Sequence, residues 1–189
     1  MSKVNFSNLI NVIRYPFYIR KMIWMLYPYM LRKRGVQVGC KVAILGLPIV
    51  SMSGQSKIVI GDYCVLCSSS ELTALGINHP IVIRTMNPNA IVTIGAHTGV
   101  SGGSICASSR IEIGAECLIG ANVTIADTDF HSISPGNRRY NNSDIVSIPI
   151  HIEDNVFIGA NSTILKGVRI GRNSVIGASS VVTLSLIHI

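Results

Sequence analysis

The chain has 189 residues, 48% of them hydrophobic and only 13% charged, which excludes a disordered chain, since disorder needs low hydrophobicity and high charge. The mean hydropathy of +0.46 suggests a membrane protein, yet the longest nearly unbroken apolar run is Met22–Leu31 with Pro28 inside it, and a span needs about 20 residues. The net charge of +7 is uneven, with nine Lys/Arg and no Asp/Glu in residues 1–61, so the basic character is local and does not mark a nucleic-acid binder.

Residues 1–45 form the first unit. Leu9, Ile13, Phe17, Ile23, Leu26 and Met30 recur at three- and four-residue steps, a helical period. Pro16 and Pro28 interrupt it, which predicts two short helices or one kinked helix. Basic residues flank the apolar stretch. Two readings stand: a helix packed on the neighbouring domain, or residues 1–34 lying on the cytoplasmic membrane surface. No secretory signal is present in this stretch, so a cytoplasmic location is expected. The five cysteines, Cys40, Cys64, Cys67, Cys106 and Cys117, are irregularly spaced and expected to be reduced.

Residues 46–183 carry a repeat of six. From Ile152 onward, Ile158, Ile164, Ile170, Ile176 and Val182 follow at that step. Small or β-branched residues stand four positions after the aliphatics, as in Val156, Ser162, Val168, Ser174 and Ser180. Glycine often follows the aliphatic, as in Gly61, Gly95, Gly114, Gly120, Gly159, Gly171 and Gly177. A period of six is neither helical nor a simple strand alternation. It fits short flat strands with one aliphatic pointing inward and a tight corner after each. The glycine fits an unusual backbone or a close approach. Three strands close a triangular coil, and stacked coils hydrogen-bond at about 4.8 Å spacing. Residues 58–183 supply roughly seven coils, whose aliphatic column forms a core no single repeat could bury. The fold class is therefore all-β, a parallel β-helix with an N-terminal helical segment and one extruded loop.

That loop is 127–148. It is polar, holds Pro135 and Gly136, and breaks the six-residue phase; long loops in compact repeats are commonly functional. His131 lies in it, and imidazole suits proton abstraction near neutral pH. Asp129 or Asp127 is placed to hold its tautomer. His151 adjoins the Ile152 coil and is a lesser candidate. Arg138, Arg139 and Tyr140 are candidates to contact an acceptor, with Asp127 beside them. Leu184–Ile189 leaves the coil rhythm and is expected to be a non-native or truncated tail.

The pattern resembles the hexapeptide-repeat family of left-handed parallel β-helix acyltransferases, over about two-thirds of the chain. The left hand of the coil comes from the resemblance, since general crossover chirality favours the right. The resemblance implies an acetyl-CoA-dependent O-acetyltransferase acting on a sugar hydroxyl in surface polysaccharide synthesis, with His131 as general base. Asn155-Val156-Phe157-Ile158-Gly159-Ala160 is similar to the family's Asn-Val-Trp-Ile-Gly segment. Carried over, the Ala160 N–H is an oxyanion donor, and Phe157 stands where Trp is common. Phe157, Gly159, Ala160, Ala178 and Thr183 would then line the coenzyme A path. The family also implies a homotrimer with sites between subunits and no metal.

Other readings use the same fold. N-acetylation of an amino nucleotide-sugar and acetylation of serine are alternatives of the same chemistry. A non-enzymatic scaffold is another. A γ-type carbonic anhydrase would need three convergent histidines, and the spacing of His79, His97 and His131 does not supply the expected close pair.

Overall fold

The structure, a computed structural model, describes residues 17–136 and 138–183. The predicted features at Leu9, Ile13, Pro16 and the 184–189 tail lie outside the described residues. One helix, α1 (Phe17–Lys33), precedes eighteen short strands among the described residues. The first turn of the β-helix is β1 (Gln37–Val38), β2 (Ala43–Gly46) and β3 (Ile49–Ser51). The second is β4 (Lys57–Ile60), β5 (Val65–Ser68) and β6 (Val82–Thr85). The third is β7 (Ile91–Ile94), β8 (Gly99–Ser101) and β9 (Ser104–Ala107). The fourth is β10 (Arg110–Ile113), β11 (Leu118–Ile119) and β12 (Thr124–Ala126). The fifth is β13 (Ile150–Ile152), β14 (Phe157–Ile158) and β15 (Thr163–Ile164). The sixth is β16 (Arg169–Ile170), β17 (Val175–Ile176) and β18 (Val181–Val182).

Every third strand joins the same parallel sheet, giving three six-stranded faces. The face that starts with β1 is called A, that with β2 B, and that with β3 C. The repeat explains the register. Ile152, Ile158 and Ile164 are the inward residues of one turn on faces A, B and C, and Ile170, Ile176 and Val182 are those of the next. On face A the inward column runs Ile60, Ile94, Ile113, Ile152, Ile170 in strict register. All are buried, and each fully buried aliphatic contributes about 1.5–3 kcal/mol.

The glycines after the aliphatics serve close approach. A Cβ on Gly95 would stand 2.4 Å from the Ala115 nitrogen, and one on Gly159 2.5 Å from that of Ala178. Successive turns pack backbone on backbone there, so a side chain has no room. The left-handed backbone falls two residues later, on Tyr63, His97, Glu116, Asn155 and Asn173 at the A-to-B edge.

Two expectations are corrected. The prism has six turns among the described residues, not seven: residues 57–182 supply five, because residues 69–81, with a 3-10 turn at Ser70–Leu72, leave it as the loop 127–148 does, and the β1–β3 turn precedes them. The β-helix starts at Gln37, inside the segment 1–45 expected to be helical. Of the two forms expected for the N-terminal segment, the structure has the single helix, with Pro28 inside it. That helix buries Trp24, Tyr27 and Leu31 and packs on β1 and β2.

Candidate active site

The 127–148 excursion leaves between β12 on face C and β13 on face A, and thus sits on the C-to-A edge of the prism. Its neck is a short antiparallel ladder. The Ile148 N–H donates to Asp127 O at 2.9 Å and the Asp129 N–H to Val146 O at 3.3 Å. Between them Thr128 bridges Ser147, whose hydroxyl donates to Thr128 Oγ1 at 2.9 Å. The neck is tied to the next turn, because the Gly167 N–H donates to Ile148 O at 3.0 Å. Lys166 Nζ also meets Asp129 Oδ1 at 2.5 Å.

The chain turns sharply above this neck. Phe130 has a φ of 61°, and the His131 N–H donates to Asp129 O at 2.7 Å. The His131 side chain is exposed. Asp129 does not spend its carboxylate on that imidazole as expected. Its Oδ1 holds Lys166, and its buried Oδ2 has no partner among the described residues.

Asp127 is corrected outright. It is fully buried, and its oxygens accept the N–H groups of Ser108, Ser109 and Arg110 at 2.6–2.7 Å. It caps the turn below the loop and has no surface to offer a substrate. Arg138 is corrected in part, since its guanidinium donates to Ile133 O and Ser134 O and braces the loop itself. Arg139 lies over the Tyr140 ring at 5.7 Å, and both are exposed.

The other predicted residues gather on a different edge. Phe157 projects outward from face B, in register with Leu118 and Val175. Ala160 follows at the B-to-C edge, with Ala178 stacked on it through a bond from the Ser179 N–H to Ala160 O at 2.8 Å. Within the described residues the amide N–H groups of Ala121, Ala160 and Ala178 meet no acceptor. At the A-to-B edge three equivalent amides are occupied: Asp62 accepts from the Cys40 N–H, Asp154 from the Ala115 N–H and Glu153 from the Arg172 N–H. The B-to-C edge therefore presents an open row of donors, one turn of the prism apart. Thr183 lines an open cavity of about 350 Å³ beyond it, with Val175, Gly177, Ser180 and Val181. Gly159 is buried under the Ala178 backbone and shapes the edge without facing outward.

His131 and Ala160 thus stand on the two edges that bound face C. One chain does not bring them together through any contact described.

The remaining polar groups have local explanations. His151 Nδ1 lies 2.7 Å from Glu112 Oε2 on the outside of face A. The Arg110 guanidinium, with His151 beside it, holds Glu112 below the ordinary carboxylate range. His97 stacks on Tyr63, with ring centres 4.8 Å apart. His79 Nδ1 lies 2.7 Å from Pro80 O. Among the described residues no three His, Cys, Asp or Glu gather as a metal site. All five cysteines are free, and burial pushes the Cys64 and Cys117 thiols above their ordinary value. Lys166 is the site residue that sequence reasoning missed. Its only signal was its place one coil beyond the loop, in a Leu-Lys-Gly corner.

Comparison with known proteins agrees with this architecture. A family model described as hexapeptide repeat of succinyl-transferase matches residues 110–133 and 149–183. Galactoside O-acetyltransferase of Lactococcus lactis is 47% identical over 77 residues, covering 39% of this chain and 34% of the relative. The Escherichia coli galactoside O-acetyltransferase is 45% identical over 73 residues, again 39% and 34% of the two chains. The match therefore spans about a third of the length of these relatives. A mutant of the Bacillus cereus N-acyltransferase AntD, solved with coenzyme A, superimposes with a TM-score of 0.51 at 21% identity. That alignment covers 84% of this chain and 79% of the other, and it shows a shared fold.

Proposed function

The chain belongs to the hexapeptide-repeat family, and from that premise we propose that it is an acetyl-CoA-dependent O-acetyltransferase acting on a sugar hydroxyl. The observation that carries this reading is the pairing of two edges. One presents His131 on a braced loop, and the other presents a row of open backbone donors at Ala121, Ala160 and Ala178. The galactoside O-acetyltransferases that match over 39% of this chain support the acceptor class.

The chemistry is a single transfer. The His131 imidazole takes the hydroxyl proton as the sugar oxygen attacks the thioester carbonyl carbon. The oxyanion that forms accepts from the Ala160 N–H, a fixed donor that needs no reorganisation. The C–S bond then breaks, the acetyl group stays on the sugar oxygen, and the leaving thiolate takes the proton back from the imidazolium. No metal enters. The open edge and the cavity at Thr183 would receive the extended pantetheine arm, with Phe157 as an apolar wall beside it. Asp129, held by Lys166, fixes the base of the turn that carries His131. Arg139 and Tyr140 remain at the loop surface to meet the acceptor.

The family resemblance implies a homotrimer in which His131 of one subunit meets Ala160 of the next, and the separation of the two edges by face C fits a site between subunits. The outward column of Val65, Leu118, Phe157 and Val175 on face B supports this. These side chains are exposed in the single chain, and an apolar column of that length favours burial against a neighbour. We infer from the family resemblance that the acceptor belongs to surface polysaccharide synthesis on the cytoplasmic side. The test is release of thiol from acetyl-CoA with and without a panel of galactosides and amino sugars, with the product weighed by mass spectrometry. Acceptor-dependent thiol release with a sugar ester as product supports the reading. Thiol release that no sugar stimulates, or an amide product, overturns it.

A further inference from the structure

Helix α1 is apolar on two opposite sides. Trp24, Tyr27 and Leu31 face the prism and are buried, and the Tyr27 hydroxyl donates to Pro48 O at 2.8 Å. At about 100° per residue, Met22, Met25, Leu26 and Tyr29 fall in one narrow stripe on the far side. All four are between 55% and 75% exposed. A helix that only packs on its own domain needs one apolar face, and here the packing is complete without the second.

The charges around this stripe have one sign. Lys21 flanks it, and Lys33 continues it, with its ammonium 5.4 Å from the Tyr29 ring centre. Residues 1–61 contain nine Lys/Arg and no Asp/Glu. The strands packed against α1, β1 and β2, carry no acid either. Among the described residues, Glu71 pairs with Arg20 on the prism-facing flank, away from the stripe.

We propose that this outward face of α1 docks on an anionic lipid surface. Met22, Met25, Leu26 and Tyr29 enter the headgroup boundary, and Lys21 and Lys33 meet lipid phosphates. Tyr beside Lys is a pairing suited to such a boundary, with an apolar body and a wet polar end. The helix lies on the surface and does not cross it, since no described helix is long and apolar enough to span a membrane. A second copy of the chain is the poorer occupant, because helix-to-helix pairing would set cations against cations. The proposal does not depend on acetyl transfer, and its test contains no substrate.

The full chain is floated with vesicles of phosphatidylcholine and with vesicles that also contain phosphatidylglycerol. Binding to the anionic vesicles is expected to exceed that to neutral ones by about tenfold or more, and to fall as salt rises. Met25→Glu with Leu26→Glu should lower it by about tenfold or more at an unchanged melting temperature. Lys21→Gln with Lys33→Gln should lower it without touching the apolar stripe. Equal flotation of wild type with both vesicle types overturns the proposal, as does no flotation at all. A change in solution mass on Met25→Glu without lipid also overturns it, by assigning the face to a second copy.

Discussion

Lys166 Nζ sits 2.5 Å from Asp129 Oδ1, joining the neck of the His131 loop to the corner of the following coil. The two residues are 37 positions apart, and both are largely shielded from solvent. Together with the bond from the Gly167 N–H to Ile148 O, the pair sets where the loop leaves the prism.

Removing the cation should loosen the loop before it loosens the fold. Lys166→Met leaves the Asp129 carboxylate with neither of its oxygens paired. Trypsin cleavage after Arg138 and Arg139 is expected to speed up several-fold, because proteolysis follows the population of locally open states. The melting temperature should move little. An unchanged cleavage rate would show that the ladder at 127–148 holds the loop without the ion pair.

Asp127 should behave as a structural residue. Its carboxylate accepts three backbone N–H groups of residues 108–110, and hydrogen bonds to charged groups are worth about 1.5–3 kcal/mol each. Bonds that share one carboxylate are not additive, so Asp127→Ala is expected to cost about 3 kcal/mol in urea unfolding. A loss under about 0.5 kcal/mol, the range of an ordinary surface change, would contradict the buried-cap account.

Glu112 supplies a pH dependence with a definite sign. Its folded-state value is held down, first by Arg110 and then by His151. A depressed carboxylate contributes stability above its unfolded value and loses it as pH falls through the folded one. The stability difference between wild type and Glu112→Gln should therefore be present at neutral pH. It should shrink as pH drops below the ordinary value of 4.5. Unfolding midpoints measured across that range check it, and a difference independent of pH would contradict it.

The core was readable from sequence because its physics is local and repeated. Each inward aliphatic occupies the same place in a six-residue unit, so Ile152 through Val182 announces three faces before any contact is known. The loop at 127–148 was readable for the converse reason, as a polar break in that phase. The second excursion, 69–81, hid behind Ala74, Leu75 and Ile77, whose apolar character imitates coil residues. Asp127 looked like part of the polar loop, yet it is the last buried position before the neck. What distinguishes it is three amides from a turn 17–19 residues earlier, a relationship that no local pattern encodes. Lys166 was hidden for the same reason. The open amides at Ala160 and Ala178 follow from small residues at the B-to-C corner, but the sequence does not say that no acid caps them.

The central claim rests on the His131 imidazole. Its side chain is exposed and makes no contact the fold requires, so His131→Ala should leave the melting temperature unchanged. In a thiol-release assay with acetyl-CoA and an accepted sugar, the variant should lose about 100-fold or more of the wild-type kcat, the range for removal of a general base. Equal kcat values for wild type and His131→Ala would contradict the account.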